Sequence, residues 1–301
     1  MDNKVSSLGQ GPGLAWKRGS SSFPPGSLAS LQEWTGGTTE PVEPPWHGEV
    51  DFQQWNTIGW AITDDGILCI KPWEGDTGET GSAITDDDVP WNDKRLKIKK
   101  IESTGLIMLN EDSAWLFSIC SSLTDLTALA EWDVSNVKNM YNMFWHCSSL
   151  TDLTALENWS VSNVTDMAYM FSSCSSLTDL TPLANWKVSN VMDMSSMFEY
   201  CSSLTDLTAL QNWNVSSVTS MDSMFQGCSS LQRIGIPSIA NGGQKLVENA
   251  EAAKLTTVLP SIISDDGSMG PYTWDELYTE MTTNPDYFEY ETVWVKAEEE
   301  E

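Results

Sequence analysis

The chain has 301 residues, with 43 acidic and 15 basic side chains and a net charge of −28. Binding to nucleic acid needs Lys and Arg against phosphate, so that class is excluded, and attraction to anionic membrane surfaces is disfavoured for the same reason. A hydrophobic fraction of 40% against 19% charged is a foldable composition, and no apolar run approaches the length of a membrane-spanning helix.

Residues 1–50 are rich in Gly, Pro and Ser, with paired prolines at Pro24-Pro25 and Pro44-Pro45. They read as an extended arm, either a linker or a segment that docks on a partner through Trp16, Phe23, Trp34 and Trp46. The first thirty residues contain no apolar core of a secretory signal and no lipobox cysteine. Residues 51–115 alternate like strands over Ala61–Ile70, Arg95–Ile101 and Gly105–Leu109, and are expected to form a β-rich N-terminal cap. Lys94, Arg95, Lys97, Lys99 and Lys100 are the one basic cluster, read as a strand with a charged face.

A repeat of 27 residues then dominates. Cys120 opens CSSLTDLTALAEWDVSNVKNMYNMFWH, and Cys147, Cys174 and Cys201 open close copies. Cys228 starts a fifth copy that departs after four residues, and Leu116-Phe117 form a half-repeat upstream. Leu123, Leu126, Leu129, Trp132, Val137, Met140, Met143 and Phe144 each head an apolar column. One coil cannot bury these groups alone, whereas stacked coils bury them against their own copies. The L-x-x-L-x-x-L run suits a strand, and V-x-x-M-x-x-M-F an extended piece leading into a short helical turn. Beyond 235, Gln244–Val258 and Tyr272–Met281 have helical periodicity and Phe288–Val295 alternates as a strand, which makes residues 236–301 a mixed C-terminal cap with an acidic end.

The W-x-V-S-N-V-x-x-M-x-x-M-F-x-x-C-S-S-L pattern resembles the BspA-like leucine-rich-repeat surface proteins over about residues 113–235. Trp60–Ile70 and Val89–Trp91 resemble the segment preceding such repeats. The resemblance implies a short α+β repeat solenoid with a parallel β-ladder over 116–235, between the two caps. It also implies a non-catalytic binding or adhesion module displayed outside a cell, in bacteria and in viral or phage genomes.

Chemistry is sparse. The five repeat cysteines fall one per coil with Cys69 apart, without the spacing of a zinc site, and read as buried free thiols. His47 and His146 are the only histidines and neither sits in a nucleophile motif, so no catalytic residue, no metal site and no cofactor are expected. Asp125, Asp152, Asp179 and Asp206 form an acidic column that is solvated, hydroxyl-paired or cation-bound, with solvation the default. Asn136, Asn163 and Asn190 suit a structural ladder at a corner. Positions that drift from coil to coil carry the recognition candidates: Tyr141, Asn142, Trp145, His146, Tyr169, Glu199 and Tyr200. They are expected to face away from the core, with the aromatic members forming a patch.

These features point to a binding and display protein rather than an enzyme. The favoured expectation is a phage virion component, a decoration or fibre protein held to a capsid or tail protein by the N-terminal arm, with a host-surface protein or glycan, or a second copy of the chain, as further partners. The alternative is a bacterial cell-surface adhesin, and a weaker one an intracellular scaffold.

Overall fold

The computed structural model describes residues 50–297. The arm anchors Trp16, Phe23, Trp34 and Trp46, together with His47 and the terminal acidic run, lie outside the described residues.

The chain enters through β1 (Gln53–Trp55), β2 (Ile58–Ile62) and β3 (Ile67–Pro72), an antiparallel meander. Strands β2 and β3 read as continuous apolar runs because both faces are covered: Trp60 and Ala61, and Leu68, Cys69 and Ile70, are buried in succession. Asp64-Asp65-Gly66 is the turn between them. Gly66 has φ +88°, and a Cβ there would lie 2.2 Å from the Lys97 carbonyl oxygen, so only glycine fits. After β4 (Thr77–Glu79) comes the basic cluster, where the expected strand is absent. Asn92–Lys97 is a 3₁₀ turn instead, because Arg95 turns inward: its Nη1 meets Asp86 Oδ1 at 2.6 Å and its Nε donates to the Asn92 carbonyl at 2.9 Å. Alternation in R-L-K-I-K thus reflects one buried cation rather than a charged strand face. Strand β5 (Lys100–Ser103) starts only at Lys100 and joins β3 in parallel, and β6 (Leu106–Met108) joins β4.

From here the backbone repeats in space as it does in sequence. Parallel bridges link Asp112 to Asn139, Asn139 to Asp166, Asp166 to Asp193 and Asp193 to Ser220. The main-chain N–H groups of Met140, Asn142, Phe144 and His146 donate to the carbonyls of Asp166, Ala168, Met170 and Ser172 at 2.8–3.1 Å. Met167, Tyr169, Phe171 and Ser173 do the same to the following coil. The inter-coil ladder therefore runs through V-x-x-M-x-x-M-F, and the short helical turn expected there is a pair of four-residue turns. Their third residues have left-handed φ, for example Asn142 at 57° and His146 at 61°.

The leucine run is not a strand either, apart from the two residues Asp206–Leu207 of the last copy. Each copy carries a 3₁₀ turn, at Thr127–Glu131, Thr154–Leu156, Thr181–Leu183 and Thr208–Asn212. The local cause is the preceding aspartate. Asp125 Oδ1 accepts the Thr127 N–H at 2.9 Å, and Asp152, Asp179 and Asp206 repeat this at 2.7–2.8 Å. An aspartate that bonds the backbone two residues on starts a turn, and leucines three apart eclipse on one side of a three-residue helix. Leu126 and Leu129 are both buried by this spacing.

All the apolar columns are inside, as their periodicity requires. The Phe144, Phe171, Phe198 and Phe225 rings stack at 5.5, 5.9 and 6.1 Å, nearly coplanar in orientation. Trp159, Trp186 and Trp213 each donate Nε1–H to the Leu carbonyl 30 residues earlier at 2.9 Å, so each buried indole satisfies its polar edge on the previous coil. Asn163 and Asn190 donate Nδ2–H to the carbonyls of Ser135 and Ser162 at 2.7 Å, which is the corner ladder read from sequence.

At the far end β7 (Asp206–Leu207) pairs in parallel with β8 (Arg233–Ile236), which is followed through the sheet by β10 (Thr292–Lys296) and β9 (Ile262–Ser264). The helix expected over Gln244–Val258 is two short ones, α1 (Gly243–Glu248) and α2 (Leu255–Val258), interrupted where Lys254 takes φ 64°. Helix α3 (Trp274–Thr283) starts at a capping box formed by Thr273 and Glu276. Phe288 belongs to a 3₁₀ turn over Pro285–Phe288, so the last strand is shorter than its alternation suggested.

Candidate functional site

The ladder turns place the variable columns on one side of the stack. Tyr141 and Trp145 follow the two turn-opening residues of the first full coil, and Tyr169 takes the left-handed position one coil on, at φ 59°. The rings meet edge to face. Tyr141 lies 5.7 Å from Tyr169, and both Tyr141 and Trp145 contact Trp115, at 5.5 and 6.1 Å. Trp145 also abuts the exposed His146 ring at 4.8 Å. Trp115, Tyr141, Trp145 and Tyr169 are each partly exposed, so they make a continuous aromatic strip across three coils. Of the expected residues, Tyr141, Trp145, His146 and Tyr169 come together here.

Three others do not. Asn142 is buried at 4% exposure and is not a surface residue. Its side-chain Oδ1 has no hydrogen-bond partner in the protein. Glu199 and Tyr200 sit two coils further along. Tyr200 is half exposed, shares a hydrogen bond at 2.8 Å with Gln226 Nε2, and has no ring contact to the strip among the described residues. Trp115 is the residue that sequence reasoning missed. It stands one period before Asn142, so the half-repeat that exposed Leu116 and Phe117 also contained its signal.

Carboxylates border the strip. Asp166 and Asp193 hold the turns below the Tyr141 column, each Oδ1 accepting the N–H two residues on at 2.9 and 2.8 Å. Burial raises the Asp166 pKa and the neighbouring Asp193 adds to it, against the bond from Ala168 N–H. Burial likewise raises the Tyr141 pKa, with Tyr169, Asp166 and Asp193 adding and the Asn142 bond opposing. Neither Asp166 nor Asp193 has an ion-pair partner among the described residues.

The acidic column of Asp125, Asp152, Asp179 and Asp206 behaves differently. Its ends are paired, Asp125 with Lys100 at 3.5 Å and Asp206 with Arg233 at 3.5 Å, while Asp152 is exposed and held below the usual carboxylate pKa by its Thr154 bonds. A groove of about 530 Å³ opens there between Asp125, Thr127, Asp152, Thr154 and Glu157. The described residues contain no His, Cys, Asp and Glu cluster able to hold a metal ion. All six cysteines are free and buried.

A family model described as "Mycoplasma protein of unknown function, DUF285" matches residues 112–236, the stretch of stacked coils. No curated protein matches. Among solved structures, a leucine rich cell surface protein from Faecalibacterium prausnitzii is similar at 17% identity and TM-score 0.25, over 61% of this chain and 54% of that one. A leucine-rich repeat protein from Eubacterium ventriosum is similar at 15% identity and TM-score 0.18, over 58% of this chain and 75% of that one. The chain thus spans about half the length of the first of these. At such TM-scores the likeness carries no argument about what the chain does.

Proposed function

We propose that this chain is a non-catalytic binding module, a BspA-like repeat solenoid that presents the Trp115–Tyr141–Trp145–Tyr169 strip to a partner at a bacterial cell surface. One observation carries the reading: the aromatic residues occupy columns that change from coil to coil, while the columns that build the core do not. Aromatic side chains supply contact area at low entropic cost, and partly exposed rings gathered in one place are a recognition surface rather than scattered exposure. A family match whose description names a bacterial source supports bacterial display over the virion reading, for which nothing beyond the sequence-level expectation speaks.

The test is retention on immobilised peptide and glycan arrays by the intact protein and by a Tyr141→Ala/Trp145→Ala/Tyr169→Ala variant of unchanged circular dichroism. Loss of the retained ligands upon substitution supports the strip as the contact surface. Equal retention by the variant overturns it.

A further inference from the structure

Resting on that reading, we propose that the strip takes a cationic protein segment, and that an arginine side chain seats against Tyr141, Tyr169 and Trp145 with its guanidinium paired to Asp166 and Asp193. Four observations lead there. The rings lie at 63–85° to their neighbours, so faces and edges alternate along the strip instead of closing into a flat stack. Aromatic faces attract cations, guanidinium above all, because it is planar and weakly hydrated.

The two carboxylates beside the strip have no cation of their own. Residues 120–228 carry 11 acids and only two bases, Lys138 and Lys187. Lys138 is already engaged by Glu111 at 2.8 Å, and Asp112 three coils before Asp193 extends the same unneutralised column. Lastly, Asp166 is half-buried beside a like charge, which disfavours its ionised form. A bound guanidinium reverses that penalty, since an opposite charge within a few ångströms favours ionisation and a planar fork can meet two carboxylates at once. A neutral sugar can donate hydroxyl hydrogen bonds to the carboxylates but leaves their charge uncompensated.

The experiment is isothermal titration of the intact protein with an Arg-Gly repeat peptide, its Lys-Gly and Gln-Gly counterparts, and a neutral oligosaccharide. The expected order is Arg-Gly tighter than Lys-Gly, with Gln-Gly and the sugar unbound. Asp166→Asn and Asp193→Asn keep the turn-holding oxygen, as Asn139 does naturally in that column at 2.9 Å. Each should weaken Arg-Gly binding about three- to tenfold. Asp152→Asn/Asp179→Asn removes twice that charge from the other column and should still leave binding unchanged.

An equal loss in that control would mean attraction to net charge alone and overturns the proposal, as does binding of the sugar or of Gln-Gly at the same strength. If Arg-Gly fails while the triple aromatic variant still loses its array ligands, the ligand class is wrong and the strip stands. If that variant keeps its array ligands, the strip itself is wrong.

Discussion

The thiol of Cys174 donates to the main-chain carbonyl of Phe144, 30 residues earlier, at 3.2 Å. Cys147, Cys201 and Cys228 repeat the bond to Phe117, Phe171 and Phe198 at 3.1–3.2 Å, so one buried S–H per coil ties it to its predecessor. Burial pushes the Cys174 thiol up to about 12 from its ordinary 9.0, with the Cys147 backbone opposing only in part, and Cys120 and Cys228 also rise to about 12. The folded state therefore holds protons that the unfolded chain releases. This stabilisation is complete below pH 9.0 and is lost as pH climbs from there toward about 12. Melting temperature should fall ever more steeply above about pH 9, and Cys174→Ser, which keeps a donor but does not titrate, should make the fall shallower. Because the thiolate is the nucleophile, the native repeat thiols should resist iodoacetamide at neutral pH and react only as fast as the protein unfolds. Modification faster than unfolding contradicts this account.

The ladder turns carry a second liability. Their left-handed positions hold Ile119, His146, Ser173, Tyr200 and Gly227 in one column, at φ 57–75°. A side chain in that region costs on the order of 1–2 kcal/mol, and glycine avoids it. His146 is exposed, so His146→Gly removes no core contact and should raise stability by about 0.5–1 kcal/mol after the extra freedom glycine gives the unfolded chain. Gly227→Ala should go the other way. Its Cβ would lie 2.4 Å from Tyr200 Cδ1, displacing the ring from its bond with Gln226. Urea midpoints of the two variants on opposite sides of the parent would bear this out, and a destabilised His146→Gly would refute it.

Which parts of this arrangement were legible in the sequence follows from what sets each of them. Apolar columns at period 27 name the core directly, because burial by a copy of oneself demands the same residue every coil. The same periodicity says nothing of backbone conformation. Leucines three apart fit a strand reading of the leucine-rich family, yet Asp125 and its copies bond the backbone two residues on and wind the run into a 3₁₀ turn. Left-handed φ at Trp115, Tyr169 and Ile119 has no local propensity signal, and only Asn142 and Gly227 mark the two columns they share. The site was half legible for that reason: Tyr141, Trp145 and Tyr169 stand out by drifting, whereas Asn142 drifts and is buried, and Trp115 was hidden in an incomplete repeat.

Arg95 shows how far local pattern can mislead, and its environment predicts an asymmetric response. Its side chain is buried at 5% exposure and its main charged contact is Asp86 at 2.6 Å, with Ser118 Oγ at 3.5 Å and Nη2 unpartnered. Removing Asp86 leaves a buried guanidinium uncompensated, which costs about 3 kcal/mol. Removing Arg95 leaves only a carboxylate that is 37% exposed and can take water. Asp86→Ala should therefore destabilise markedly, Arg95→Met by less than about 1.5 kcal/mol, and the double variant should match Arg95→Met. Equal losses in the two single variants would show that the pair, rather than the stranded cation, sets the stability.

The phenylalanine column makes the strongest prediction about cooperativity. Phe171 is fully buried between Phe144 and Phe198, with Trp186 at 6.5 Å, so its ring belongs to two inter-coil interfaces at once. Phe171→Ala deletes a buried aromatic from a stack whose backbone is pinned by ladder bonds on both sides, so the cavity cannot collapse and the loss should be about 3–5 kcal/mol. Phe171→Leu refills most of the volume and should recover over half of it. In a stack held by nearest-neighbour contacts, weakening the centre also uncouples the two ends. Urea unfolding of Phe171→Ala should then lose its single transition, seen as a lower apparent m-value and as fluorescence and circular dichroism curves that no longer coincide. Coincident curves with an unchanged m-value would mean that the caps and coils still unfold as one unit without this ring.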